Sequence, residues 1–241
     1  MNIHKNDLKS LATIATIVAG ISASQAATTV VNGDFEASTF DTGWTNAGAT
    51  AVTGALAIGG AGTSASLAGG SDSLKQDFDA TDVGLADFQL NFMFNYTGTL
   101  GNDSRIRIGG DTSNANPMLS LRLTTAGIEN FTGSWGTGVT VALNAATDYY
   151  VRLIGNNFGE NDNSRFFTLG VSTDGSTFTT GGVITGFHNS DDRFETFTLE
   201  DASGATILLD NVSLGVVPEP SSTALLGLGG ALLAFARRRR A

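Results

Sequence analysis

The sequence predicts an all-β fold, an antiparallel two-sheet β-sandwich occupying residues 27–216 between two terminal segments of different composition. Three observations point there. Several runs of strand length alternate apolar and polar residues with period two. Turn pairs built on glycine, aspartate and serine separate those runs. No amphipathic helical period occurs between the two ends. A stretch of about 190 residues is enough to fill one sandwich or barrel.

The clearest strand is residues 87–96. Phe88, Leu90, Phe92, Phe94 and Tyr96 fall on one face, and Asp87, Gln89, Asn91 and Asn95 on the other, with Met93 the single exception. This is the pattern of a half-buried strand, whose side chains alternate across the sheet. Residues 104–108 alternate in the same way, as do Leu119, Leu121 and Leu123 against Ser120, Arg122 and Thr124. Tyr149, Val151 and Leu153 make another inward row, followed by Phe167, Leu169 and Val171, and by Phe197 with Leu199. Asp174-Gly175 predicts a hairpin with a type I′ turn, which needs positive φ. Gly109-Gly110-Asp111, Gly181-Gly182 and Ser203-Gly204 punctuate the other strands. Residues 47–70 carry no charge and consist largely of small and aliphatic residues. They read as short strands with tight turns, in which small side chains let backbones approach. The polar stretch 156–164 reads as a surface loop. Trp44 reads as core, with Phe35 and Phe40 close to it in sequence.

Both termini look like sorting segments. Residues 1–26 combine Lys5 and Lys9, an apolar run over 11–21, and Ser24-Gln25-Ala26 with small residues at alternate positions, the pattern of a secretory signal peptide. At the other end, Val217-Pro218-Glu219-Pro220 precedes an apolar stretch over 223–236 and then Arg237, Arg238, Arg239 and Arg240. Two closely spaced prolines place the start of a hydrophobic helix after them. That helix is short for a full span, which takes about 20 residues, so it is read as a brief or thinned span or as an interfacial helix. The arginines favour the cytoplasmic side, which puts everything before Pro218 outside the inner membrane.

Residues 217–241 resemble the PEP-CTERM sorting signal of Gram-negative bacteria in the tetrapeptide, the Gly/Leu-rich segment and the Arg cluster, in that order. The resemblance implies transient insertion in the inner membrane, cleavage by the transpeptidase exosortase, and delivery to the cell surface or extracellular matrix. A plain tail anchor is the competing reading.

Between the sorting segments, seven basic residues stand against 21 acidic ones, a net formal charge of −14. This excludes nucleic acid as a partner, because phosphate contacts need an excess of Lys and Arg. The absence of cysteine excludes disulfides, thiolate metal sites and cysteine nucleophiles. His188 is the one histidine of this region, and no Gly-x-Ser-x-Gly elbow accompanies it, so no serine triad is indicated. The domain reads as non-catalytic. A secreted glycan-active enzyme on a concanavalin A-like fold is the alternative, because a pair of carboxylates is enough for a glycosidase.

The domain's edges carry a second resemblance. Asn32-Gly33-Asp34-Phe35-Glu36 with Gly43-Trp44 near the start, and Leu209-Asp210-Asn211-Val212-Ser213-Leu214 near the end, resemble the opening and closing strands of jelly-roll carbohydrate-binding modules of the galactose-binding-like fold. The concanavalin A-like, laminin-G type of sandwich is the other candidate topology. The resemblance implies a structural calcium where first and last strands meet, with Asp34, Glu36 and Asp210 as ligands; in the alternative reading Asp34 and Asp210 cap turns. Extracellular polysaccharide is the implied partner. Trp135, in a glycine-rich run, is either an exposed stacking platform or a lid on the core. Tyr150, Arg122 and Arg152 fall on polar strand faces with Gln89, Asn91, Arg105 and Arg107, where they line a glycan groove or a solvated, ion-paired sheet.

Overall fold

Period-two patterning builds the two sheets seen in the computed structural model, which describes residues 30–37, 42–78, 87–101, 104–109, 117–158, 165–185, 194–201 and 204–216. The strands are β1 (Thr45–Ala47), β2 (Thr50–Thr53), β3 (Thr63–Leu67), β4 (Asp72–Asp77), β5 (Phe88–Thr97), β6 (Ser104–Gly109) and β7 (Pro117–Thr124). They continue with β8 (Gly127–Phe131), β9 (Trp135–Val139), β10 (Tyr149–Asn156), β11 (Phe166–Ser172), β12 (Thr179–Thr180), β13 (Thr196–Asp201) and β14 (Thr206–Val216). The first sheet runs β1-β4-β13-β6-β7-β8-β9 and the second β12-β11-β10-β5-β14-β3-β2. Neighbouring strands pair antiparallel throughout both sheets. The signal segment 1–26, His188, the sorting motif 217–220, the hydrophobic stretch 223–236 and Arg237 to Arg240 lie outside the described residues.

Each sheet turns its apolar row inward. Phe88, Leu90, Phe92, Phe94 and Tyr96 of β5 are all buried, as are Ile106 and Ile108 of β6, and Leu119, Leu121 and Leu123 of β7. At one end of the core Phe88 meets Phe158, Phe167 and Phe194 at centroid distances of 5.0, 5.8 and 4.6 Å. Phe167 belongs to β11 of the second sheet and Phe194 leads into β13 of the first, so these rings join the layers. In a second cluster Phe35 packs on Trp44 (5.3 Å), Trp44 on Phe197 (6.1 Å) and Phe197 on Phe92 (5.7 Å). Trp44 is therefore core, as its neighbours in sequence imply. Full burial of one such side chain is worth about 1.5–3 kcal/mol.

Three local differences from the sequence reading have physical causes. The Asp174-Gly175 hairpin exists, since β12 pairs with β11 through Val171–Thr179 and Gly170–Thr180. Its turn, however, is a six-residue loop rather than type I′, with Gly175 at φ 70° and Asp174 not at positive φ. The Asp174 side chain organises it by accepting from the Ser172 hydroxyl and from the Ser176 and Thr177 amides, each at 2.8 Å. The opening segment 32–36 is not a strand, because Asn32 (φ 50°) and Phe35 (φ 54°) are left-handed and break the extended backbone. The uncharged region forms β2 and β3 as expected, but joins them through two single-turn 3-10 helices, Gly54–Leu56 and Ile58–Gly60.

Truncating Phe88 removes the ring shared by three others. Phe88→Ala should lose roughly 3–5 kcal/mol of unfolding free energy, read from the urea midpoint of the purified protein at unchanged slope.

Candidate functional site

The outer face of the second sheet is assembled around β5, β10 and the end of β14. Register sets Tyr150 opposite Met93, and Arg152 opposite Asn91. On its far side Arg152 faces Gly170, and Asn91 faces Ser213 across β14. Gly170 matters because it leaves the sheet surface bare. A Cβ there would stand 3.3 Å from the Phe178 ring, which lies in that space. The Arg152 guanidinium sits 3.8 Å from the centroid of that ring, a cation–π contact. Gly175 does the same for Tyr150, its bare backbone lying where a Cβ would come within 3.1 Å of the ring. The loop fixed by Asp174 thus holds both aromatic walls. Hydrogen bonds from Thr177, Ser176 and Ser172 keep the Asp174 carboxyl well below the usual carboxylate range.

The opposite wall comes from an irregularity. The pairing of β14 with β5 shifts between Asp210 and Ser213, and Asn211 there is left-handed at φ 50°. A bulge of this kind re-aims a side chain. Asn211 is exposed, with its amide 3.4 Å from the Met93 sulfur. Met93, the residue that breaks the period-two pattern of β5, lies on this outer face opposite Tyr150. Tyr150, Phe178, Asn91, Met93, Asn211 and Ser213 line a cavity of about 460 Å³. Aromatic walls, amide groups and a hydroxyl make a surface that stacks on flat apolar faces and exchanges hydrogen bonds with hydroxyls.

The four sequence-predicted glycan residues do not come together. Tyr150 and Arg152 belong to this face, whereas Trp135 and Arg122 stand on the outer face of the first sheet. Both sheets turn their apolar faces into one core, so these outer faces point away from each other. On the first sheet Arg122 is bonded to Glu129 through two nitrogens, one at 3.0 Å. Its guanidinium lies 4.5 Å from the Trp135 ring, which Arg105 approaches at 5.9 Å and Phe131 at 5.1 Å. Arg107 pairs with Glu200 at 3.0 Å. Trp135 is thus half-buried in an ion-paired sheet surface, neither a bare platform nor a core lid. Phe178 and Asn211 escaped the sequence reading. The unexplained Met93 was the available signal for a pocket on this side.

Asp34, Glu36 and Asp210 do approach one another, since the charges of Glu36 and Asp34 both act on Asp210. Their oxygens are nonetheless drawn to protein donors. Asp210 accepts from the Ser64 hydroxyl (2.8 Å) and the Asn211 amide (2.7 Å), Glu36 from the Thr63 amide (2.5 Å), and Asp34 from the Glu36 amide (3.4 Å). Among the described residues no group of three or more acidic or histidine side chains is arranged to hold a metal ion. Calcium requires six to eight oxygens aimed at one point, and these carboxylates do not fit that demand. Burial at 6% exposure instead pushes the Asp210 carboxyl above its ordinary value, with the two neighbouring charges adding to the effect.

Comparison with known proteins defines the class in two parts. The fold is that of two-sheet β-sandwich domains of known structure. A carbohydrate esterase from Shiga toxin-encoding bacteriophage phi24B superposes with a TM-score of 0.54 at 15% identity, over 80% of this chain and 100% of that one. Domain 4 of a GH43 extracellular arabinanase from Geobacillus stearothermophilus, in complex with arabinotriose, gives 0.50 at 14% identity, over 80% and 93%. An endo-beta-1,4-glucuronan lyase from the fungus Trichoderma reesei gives 0.50 at 11% identity, over 73% and 92%. No curated protein sequence matches the chain significantly. Residues 216–240 carry the PEP-CTERM protein-sorting motif, which marks an exported protein processed at the membrane.

The raised Asp210 pKa has a definite sign. Between the unfolded carboxylate value and the raised folded one, the folded state keeps a proton that the unfolded state has released, so the Asp210 contribution to stability falls as pH rises through that window. Asp210→Asn, which keeps an acceptor without the charge, should melt higher than the parent protein at pH 7. The gap should close as pH falls toward about 4, near the unfolded Asp value. A lower midpoint for the variant at pH 7, together with a chelator-sensitive parent, would restore calcium to this cluster.

Proposed function

We propose that the protein is a non-catalytic, glycan-binding β-sandwich of the cell surface or extracellular matrix, holding its ligand in the groove between Tyr150 and Asn211. In this reading segment 1–26 directs export, residues 217–241 hold the precursor transiently in the inner membrane, and exosortase removes the tail. The observation that carries the binding role is the preorganised groove. Two glycines, at 170 and 175, give up side chains so that Phe178 and Tyr150 stand as fixed walls, and a bulge turns Asn211 toward them. Ligand sites of this kind combine an apolar lining with a few placed polar groups. The carbohydrate named in the similar sandwiches accords with this reading, although a shared fold carries no ligand by itself.

Binding is tested by retention on an array of immobilised polysaccharides. Tyr150→Ala should weaken retention by roughly tenfold or more, the scale of losing one aromatic stacking partner by analogy with nucleobases. Trp135→Ala should leave retention unchanged, because Trp135 faces the other way. Release of new reducing ends or unsaturated sugars from the retained polysaccharide would favour an enzyme instead.

The sorting role is tested separately. Replacing Pro218, Glu219 and Pro220 by Ala should trap full-length precursor in the inner membrane. Mass spectrometry of the released parent protein should find a C-terminus near Pro220. Retention of Arg237 to Arg240 in the released form would identify the segment as a tail anchor.

A further inference from the structure

The groove does not end at β14. A second hollow of about 470 Å³ lies beyond it, lined by Asn32, Gly33 and Asp34 and sharing Asn211 and Ser213 with the first. The two hollows adjoin at these shared residues. The backbone explains why. β3 pairs with β14 only through Ile207 to Leu209, and past the bulge its place beside β14 passes to the opening segment. The Gly33 carbonyl there accepts from the Val212 amide at 2.8 Å. A Cβ on Gly33 would fall 1.9 Å from the Val212 carbonyl oxygen, so only glycine lets this segment lie so close. Phe178 over β11, Tyr150 on β10, Asn91 on β5, Ser213 on β14 and Asp34 on the opening segment therefore follow one another across the sheet. At the ordinary strand spacing of about 4.8 Å, four such steps span about 19 Å.

We infer that this trough binds an internal stretch of a neutral, hydroxyl-rich polysaccharide chain, several sugar units long, with Asp34 at a further subsite. The inference rests on the glycan-binding reading and deepens it. Length and continuity favour a chain lying across the strands over a single sugar or a chain end. Charge selects the neutral polymer. Among the described residues Asp34 is the one charged residue lining either hollow, and the Arg152 guanidinium is held against the Phe178 ring. The domain around them carries a net formal charge of −14. An exposed carboxylate accepts hydrogen bonds from sugar hydroxyls and repels uronate or sulfate groups.

The full secreted protein is first screened on an array of neutral polysaccharides (β-glucans, xylan, arabinan, galactan, mannan), with alginate and polygalacturonate as acidic members. Oligosaccharides of two, four and six units from the retained neutral polymer are then titrated by calorimetry. Affinity should rise by about tenfold or more from dimer to hexamer. Asp34→Ala should flatten that rise while leaving the dimer unchanged, which also shows that the variant is folded. Tyr150→Ala should weaken all lengths. An array retaining no polysaccharide overturns both the inference and the reading beneath it. Retention with affinity independent of length, loss of dimer binding in both Asp34→Ala and Asp34→Asn, or preference for the acidic members overturns the inference alone.

Discussion

The contact of Gly33 with Val212 is the constraint on which both core and groove depend. The opening segment reaches the last strand only because residue 33 has no side chain, and there its carbonyl takes the Val212 amide. That docking delivers Phe35 into the core beside Trp44, while the Trp44 indole nitrogen donates to the Asn32 carbonyl at 3.1 Å. The Gln76 amide of β4 donates to the carbonyls of Val31 and Gly43, at 2.9 and 3.1 Å. The segment is therefore held by the second sheet through β14 and by the first through β4, and so ties the two layers together. The price is a left-handed Phe35, a conformation rare for a bulky residue, which its near-complete burial offsets.

The bulge of β14 answers the same constraint from the other side. Shifting the register between Asp210 and Ser213 moves Asn211 outward and leaves Asp210 turned toward Ser64. A carboxylate so placed is costly, because burial disfavours its charged form and Glu36 and Asp34 add repulsion. The Ser64 hydroxyl and Asn211 amide return part of that cost. Sites that bind often keep such locally unfavourable groups. Here the buried acid lies one residue from Asn211, the side chain the bulge presents to the groove.

Much of the fold was legible because its signals are local. The five inward residues of β5, the Leu row of β7 and the alternation of β10 follow from side-chain period alone, and the structure keeps each of them. Signals that depend on the partner strand were not legible. Trp135 and Tyr150 look equivalent as aromatic residues near polar neighbours, yet β9 and β10 belong to different sheets. Nothing in a period-two pattern says which of two sheets a strand joins. The left-handed residues Asn32, Phe35 and Asn211 also escape notice, since none is glycine and each sits in a run that reads as extended. Gly170 was readable only as a weak strand residue, because its meaning lies in the Phe178 ring it admits.

The contrast between the two outer faces follows from how each disposes of its charges. On the first sheet Arg107 and Arg122 each have a carboxylate from a neighbouring strand, Glu200 and Glu129, and Trp135 lies against the Arg122 guanidinium. These pairs are partly buried; they satisfy the surface and leave few groups seeking an outside partner. The second sheet carries amides, hydroxyls and aromatic rings, with its cation Arg152 laid on Phe178. Amides and hydroxyls are satisfied by water as readily as by sugar, so a ligand gains there from water-displacing contact with the ring faces, oriented by the polar groups. In a domain so acidic, a polymer without charge can approach this surface without electrostatic penalty. The same acidity repels anionic polymers, so in the proposed reading selection begins with the long-range field and is completed between Tyr150 and Asp34.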